Sequence, residues 1–465
     1  MNLMVKNNYE KKIGEKKGIT LIALVVTIVI ILILVGISVL TLIGNNGLID
    51  RTTESKKETE EAQERDGVSL AIMSSQMENT ESIEVTQNSL EKALKSQFGN
   101  QAKFTVTDNG DGSFTVRFNE VNRSYYVKNT GELIENDKIL EISSEADLKQ
   151  FRDNVNKGNT YKGIYVYLTN NIHLNIDEEW ETIGMYLASN TSITDKTNKS
   201  FCGTFDGKGY IIDGLKITSS NKGKGLFGLV TNGKIKNLGI GENCNINGVG
   251  HCSGGICGYA YDGTVIENCY NNASINGNGQ QIGGIAGQNC LNSKIINCYN
   301  SGNVYASDGI AGGIAGNNPG SINNSCNFGN IKTEGNSAGG ISGLMSGVIN
   351  DCYNIGKVEA VGNYGGGIAG LLYENDTAKI CNSYNIGEVI SSIGGGIAGG
   401  LSQGSIENSF YLEKNVNGEN GLLFNGTYVK NSNELKNCSN LLGTSFRNDP
   451  NNMNNGYPVL NWQIK

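Results

Sequence analysis

Two histidines, His173 and His251, are the only imidazoles in the chain. Neither has a partner at metal-ligand spacing, so no zinc site is predicted. His251 precedes Cys252, the one place where a base and a thiol nucleophile adjoin. Successive residues of a strand point to opposite faces, which predicts these two side chains apart. No G-x-S-x-G elbow occurs, and the glycine-rich blocks lack the Lys-Ser/Thr of a phosphate loop. Cleavage of a polysaccharide would need two or three carboxylates on one face. Asp206, Asp213, Glu267, Asp351 and Glu388 instead occupy non-equivalent positions. Asp108-Asn109-Gly110-Asp111-Gly112 lacks the alternating oxygen ligands and distal Glu of a calcium loop, and reads as a hairpin turn. The expectation is that the chain is not an enzyme and holds no cofactor or metal. A carbohydrate-active β-helix enzyme is kept as an alternative.

The elements that carry these residues come from an internal repeat. Gly-Gly-Ile-x-Gly recurs at Gly254-Gly255, Gly283-Gly284, Gly312-Gly313, Gly339-Gly340, Gly366-Gly367 and Gly395-Gly396, at intervals of 29, 29, 27, 27 and 29 residues. A weaker copy stands at Gly225-Leu226-Phe227-Gly228. A second block follows each copy, as in Ile295-Ile296-Asn297-Cys298-Tyr299-Asn300. Aligned, these blocks give four columns. Ile266, Ile295, Ile322, Ile349, Ile380 and Ile406 form one. Cys269, Cys298, Ser325, Cys352, Ser383 and Ser409 form another. Tyr270, Tyr299, Cys326, Tyr353, Tyr384 and Phe410 stand beside it. Ile275, Val304, Ile331, Val358 and Val389 form the fourth.

One repeat has too few apolar residues to close a core, so the repeats must stack. Their β-branched residues and short runs predict strands about 4.8 Å apart. Paired glycines suit tight turns or close backbone packing, and stacked Asn amides can form hydrogen-bond ladders. Ser alternates with Cys in one column, which predicts a small buried side chain and a ladder of thiols rather than disulfides. Whether the tyrosines line the core or the surface stays open at this stage.

Composition agrees with an ordered repeat: 64 glycines accompany only 3 prolines. The net charge of −8, with no basic stripe beyond the first 17 residues, excludes nucleic acid as a partner.

Ile19 to Ile43 carries no charge. As a helix it spans about 37 Å, enough for a bilayer core. Lys11, Lys12, Lys16 and Lys17 precede it, which predicts a single-pass cell-membrane protein with everything after Ile43 outside. Asp50 to Asp66 alternates charges like a solvated helix, continuing to about Met77. Next comes a small α/β module: a helix over 89–98 ended by Gly99, then strands at 104–107, 114–118 and 125–127.

Lys16-Lys17-Gly18-Ile19-Thr20-Leu21 resembles the processing signal of type IV prepilins and pseudopilins. The resemblance implies cleavage between Gly18 and Ile19, N-methylation of Ile19, and a prepilin peptidase and pilin-like subunits as partners. The helix followed by a small sheet resembles the pilin layout. Ala23 departs from it, because most pilins carry Glu as the fifth residue of the mature chain. That departure weakens the case for filament assembly more than for membrane insertion.

The repeated blocks, over roughly residues 200–412, resemble the GLUG-type repeat of bacterial surface proteins, including large adhesins and IgA-specific metalloproteases. The H-E-x-x-H that such a protease would imply is absent from this sequence. The fold expected is mainly β, a right-handed parallel β-helix or solenoid of 27–29-residue rungs. Its parts are a leader (1–18), a membrane helix and stalk (19–80), a pilin-like module (81–138), a solenoid cap with first rungs (139–224), GLUG-type repeats (225–412) and a closing cap (413–465). The function expected is display on the cell surface, with the solenoid binding extracellular glycans or proteins. A minor pilin-like subunit is the other alternative.

Overall fold

The computed structural model describes residues 48–464, apart from 79–83, 100–102, 110–111, 120–122, 135–138, 188–196, 219–222, 249–250, 374–376, 414 and 418–424. The apolar run at 19–43 and the Gly18/Ile19 junction lie outside the described residues. Among those described, no helix is long and apolar enough to cross a membrane. The chain divides into two units, residues 1–136 and 137–465.

The first unit contains α1 (Leu48–Glu78) and α2 (Gln87–Phe98). Thr86 caps α2 through the Ser89 amide, and Gly99 ends it at φ 84°. Four antiparallel strands follow: β1 (Phe104–Asp108), β2 (Ser113–Phe118), β3 (Arg123–Lys128) and β4 (Leu133–Ile134). Val68, Ala71 and Ile72 of α1 and Leu90 and Leu94 of α2 share a core with Phe114, Val116 and Tyr125. The two-residue β4 is too short to leave an alternation in the sequence.

The second unit is a parallel β-solenoid. Four sheets, of 10, 10, 12 and 7 strands, run along it. The rung beginning at Lys294 shows the path. Lys294–Ile296 lies in the first sheet, Tyr299–Asn300 in the second, Val304–Ala306 and Ile310–Gly312 in two limbs of the third, and Ala315–Asn318 in the fourth. The next rung starts at Ser321. Its Ile322 pairs with Ile295 before it and Ile349 after it, and the whole isoleucine column is buried. The valine and isoleucine column stacks in the same way. Stacking begins earlier than the glycine blocks, at Ile139–Ile142, which is followed by α3 (Glu145–Asn156) with Ser144 as its cap.

Between the first two sheets the backbone turns through one left-handed residue. Asn237, Asn268, Asn297, Asn324, Asp351, Asn382 and Asn408 hold φ of 45–54° there. Asn and Asp tolerate this conformation better than other side-chain-bearing residues. The Cys/Ser column follows directly, and its chemistry explains why the two types interchange. Each side chain donates to the carbonyl two residues back, Cys298 Sγ to Ile296 O at 3.2 Å and Ser325 Oγ to Asn323 O at 2.8 Å. Each also accepts an amide from the preceding rung, as Ser325 Oγ does from Cys298 N at 3.2 Å. A thiol and a hydroxyl both donate and accept, so either closes the turn. All described cysteines are free thiols.

The paired glycines are explained by a buried ladder. Asn271, Asn300, Asn327, Asn354 and Asn385 are fully buried. Each Nδ2 of the first four donates to the next Oδ1, at 2.8, 2.9, 2.7 and 2.8 Å. It also donates to a carbonyl two residues on. A Cβ at Gly255, Gly284, Gly313, Gly340 or Gly367 would overlap the side chain of one of these asparagines. Gly254, Gly283, Gly312, Gly339, Gly366 and Gly395 press on backbone instead. None of these eleven glycines has a positive φ, nor does Gly396, whose Cβ would meet Tyr411. Close approach, not turning, requires them.

The closing cap is expected over 413–465, and its first part does pair onto the last rung, at Val416–Asn417 and Thr427–Lys430; residues 431–464 do not. They run instead along the outer flank of the second sheet as a strap. Leu435, Cys438, Leu442, Phe446, Tyr457 and Leu460 pack on Cys326, Tyr353, Tyr384 and Phe410.

Replacing Asn327 by Ala orphans groups on both neighbouring rungs, at about 1–3 kcal/mol each. Asn268→Ala, in the exposed row, should shift the urea midpoint far less. Gly313→Ala should cost about 1–3 kcal/mol through overpacking, read from the same unfolding curves.

Candidate functional site

Against the expectation of non-equivalent positions, Asp206 and Glu267 share one column of the first sheet, one rung either side of Lys236; Asp213, Asp351 and Glu388 stand elsewhere. Asp206 is buried and accepts from Lys236 Nζ at 3.1 Å, the Lys208 amide at 2.8 Å, Asn237 Nδ2 at 3.0 Å and the Tyr165 hydroxyl. Asp213 accepts the Asn243 amide at 3.0 Å and its Nδ2 at 2.8 Å. Glu267 pairs with Lys234, and Asp351 accepts Ser445 Oγ at 2.7 Å. Glu388 lies one residue before the strand that begins at Val389. These partners make Asp206, Asp213 and Glu267 links between rungs and Asp351 a link to the strap. His173 lies exposed on a strand paired with Asp213.

The separation predicted for His251 and Cys252 is corrected. The strand begins at Cys252, so alternation does not govern His251, and its Nδ1 lies 3.4 Å from Cys252 Sγ. The Tyr259 hydroxyl is 3.2 Å from the same Nδ1, and Cys252 Sγ donates to Gln281 Oε1 at 3.2 Å. Cys252 is nevertheless buried, and desolvation raises its pKa well above the thiol range. A neutral, covered thiol is not a nucleophile. Among the described residues no cluster of three or more His, Cys, Asp or Glu could hold a metal.

A cleft of about 390 Å³ opens between one limb of the third sheet and the fourth sheet. Leu344, Leu371 and Tyr364 wall it, and Asn336, Ser337 and Asn363 are its polar groups.

The strongest surface feature is the tyrosine column, which faces outward from the second sheet. Backbone register aligns Gly239, Tyr270, Tyr299, Cys326, Tyr353, Tyr384 and Phe410. Tyr353 and Tyr384 stack with centroids 5.0 Å apart and planes 4° from parallel, and the strap covers both. Tyr270 and Tyr299 stack at 4.9 Å and 6° and stay half-buried. A Cβ at Gly239 would overlap the Tyr270 ring, so the glycine makes room for that ring over the preceding rung. Desolvation raises the Tyr270 pKa and, aided by Tyr270, takes Tyr299 to about 12. Both hydroxyls therefore remain protonated donors at neutral pH.

The left-handed asparagines run beside these rings. Asn268 Nδ2 donates to Asn237 Oδ1 and Asn297 Nδ2 to Asn268 Oδ1, each at 3.1 Å. Stacked rings beside a row of amides can hold a flat ligand with an apolar face and polar edges. The alignment revealed this column; its outward direction depended on a strap that leaves no repeat signature.

The GLUG motif matches residues 249–276. No curated protein matches the chain. Among solved structures, the chain is similar to a Bacteroides ovatus protein provisionally named an immunoglobulin A1 protease. Identity is 22%, covering 69% of this chain and 92% of that one, with a TM-score of 0.46. It is also similar to a structure named IgA1 protease, at 16% identity and a TM-score of 0.43, covering 67% of this chain and 25% of that one. The expectation that the chain is not an enzyme is corrected here, since both similar structures bear the name of a protease. At these scores the likeness assigns neither a substrate nor an acting residue to this chain.

The thiols make a pH-dependent prediction. Burial takes Cys290 to about 12 and holds Cys252, Cys257, Cys269, Cys326 and Cys352 above the usual range. An unfolded thiol ionises near pH 8.5. Above that pH the folded chain binds more protons than the unfolded one, so stability falls as pH rises. The urea midpoint should drop between pH 7.5 and 9.5. Substituting Ser for Cys269 and Cys352 should reduce the drop.

Proposed function

We propose that this chain is a membrane-anchored cell-surface protein whose solenoid binds extracellular glycans on its Tyr270–Tyr299 face. The observation that carries the reading is the half-exposed ring pair, 4.9 Å apart and 6° from parallel, beside exposed asparagine amides. A pyranose has an apolar C–H face that packs on an aromatic ring, while its hydroxyls pair with amides. The net charge of −8 favours a neutral glycan over an acidic one. Anchoring rests on the uncharged run from Ile19 to Ile43, and outside placement on the lysines before it.

Titration with cellohexaose and chitohexaose should show binding by the full chain. Tyr270→Ala and Tyr299→Ala should each weaken it at least tenfold without lowering the melting temperature by more than a few degrees. Affinity unchanged in both variants would refute the reading. Mass spectrometry of the mature N-terminus tests the anchor. N-methyl-Ile19 would mark handling by a prepilin peptidase, whereas retention of residues 1–18 would mark an unprocessed membrane helix.

A further inference from the structure

The ring ladder has one break. Cys326 occupies the position that Tyr299 holds on one side and Tyr353 on the other. The strap inserts its only tryptophan there. The Trp462 indole lies over Tyr299, 20° from parallel with centroids 6.4 Å apart. Its Nε1 donates to the Asn324 carbonyl at 2.8 Å. Gln463 follows, with Nε2 donating to the Tyr353 hydroxyl at 2.8 Å and to Cys326 Sγ at 3.4 Å. Phe328 stands edge-on to both Tyr299 and Tyr353 and forms the wall of the same gap.

The asparagine row breaks at the same rung. Asn268 and Asn297 each donate to the preceding asparagine, and Asn324 makes no such bond to Asn297. Asn297 Oδ1 and Asn324 Oδ1 are both buried and without a hydrogen-bond partner. A buried acceptor left unpaired is destabilising. The indole brings a single N–H, already used on the Asn324 carbonyl. The gap holds a flat ring, and the two unpaired acceptors belong to the rungs whose Tyr299 and Cys326 border it.

We propose that the break in the ladder at Cys326 is a subsite for a pyranose ring, and that Trp462 fills it in cis as a stand-in. A pyranose matches the indole in having a flat apolar face, and its several hydroxyls supply the donors that Asn297 Oδ1 and Asn324 Oδ1 lack. Ligand and strap end therefore compete for one place. The subsite extends the Tyr270–Tyr299 face by one rung, and the inference rests on the glycan reading of that face. Elsewhere the strap is well held. Tyr384 bonds to the Pro458 carbonyl, Asn454 Nδ2 donates to the Tyr384 hydroxyl at 2.8 Å, and Ser445 bonds to Asp351. Only its end, from Asn461 onward, needs to lift.

The test uses the full chain with cellohexaose and chitohexaose, comparing wild type, Trp462→Ala and Gln463→Ala. Removing the stand-in should tighten binding about three- to tenfold. Gln463→Ala keeps the ring while loosening its seat, and should tighten binding less. Asn297→Ala in the Trp462→Ala background should cancel the gain. In wild type, saturating probe should shift Trp462 emission to the red, read in a Trp180→Phe background. Wild-type binding that is lost in Tyr270→Ala but unchanged or weakened in Trp462→Ala would overturn the competition alone. Failure of wild type and Trp462→Ala alike to bind either probe would overturn the glycan reading and, with it, the subsite.

Discussion

Every rung of this solenoid must accept a copy of itself about 4.8 Å away, and the buried asparagine ladder is where that demand is strictest. An amide in a dry interior needs its donors and acceptor matched. Here the match for each asparagine is the same residue one rung on, together with a carbonyl of its own loop. The second glycine of the first five pairs then becomes obligatory, because any side chain there would fall on the ladder. Two sequence blocks some fifteen residues apart thus specify one contact. The apolar columns supply most of the burial, and the ladder sets the register in which it occurs.

This coupling explains what could be read from the residues alone. The isoleucine, Cys/Ser and tyrosine columns align because each recurs once per rung, so strand identity and stacking follow directly. The strands at Ala286–Asn289 and its equivalents were harder to see, since Ala-Gly-x-x has little strand propensity and gains its place from the stack. The strap was misplaced because it occurs once. Nothing periodic in Phe446–Trp462 distinguishes a segment that closes an end from one that lies along a flank. His251 departs from the expectation for a related reason: alternation applies within a strand, and the strand starts one residue later. The ring face is half legible: Tyr270 and Tyr299 stand out as a column, while the half that Tyr353 and Tyr384 lose to the strap does not.

The carboxylates illustrate a different limit. Asp206, Asp213 and Asp351 look like candidate chemistry when counted along the chain, yet each carries hydrogen bonds between rungs or to the strap. The same economy governs the thiols, which act as hydrogen-bonding links in a turn. Repetition gives a side chain a neighbour of its own kind, and that neighbour sets its role before any ligand arrives.

The strap also divides the solenoid mechanically. Bonds between rungs lie along the axis, so a pull in that direction loads them in series, and the stack yields at its weakest joint. From Asn324 to Phe410 the strap ties rungs together laterally, through Trp462, Gln463, Tyr353 and Tyr384, and shares the load in parallel. Among the described residues, these strap contacts do not extend to the rungs before Tyr299. Tension between the start of the solenoid and a weight held at Tyr270 and Tyr299 would stretch only the unsplinted part, which acts as the compliant spring, while the splinted part stays slack.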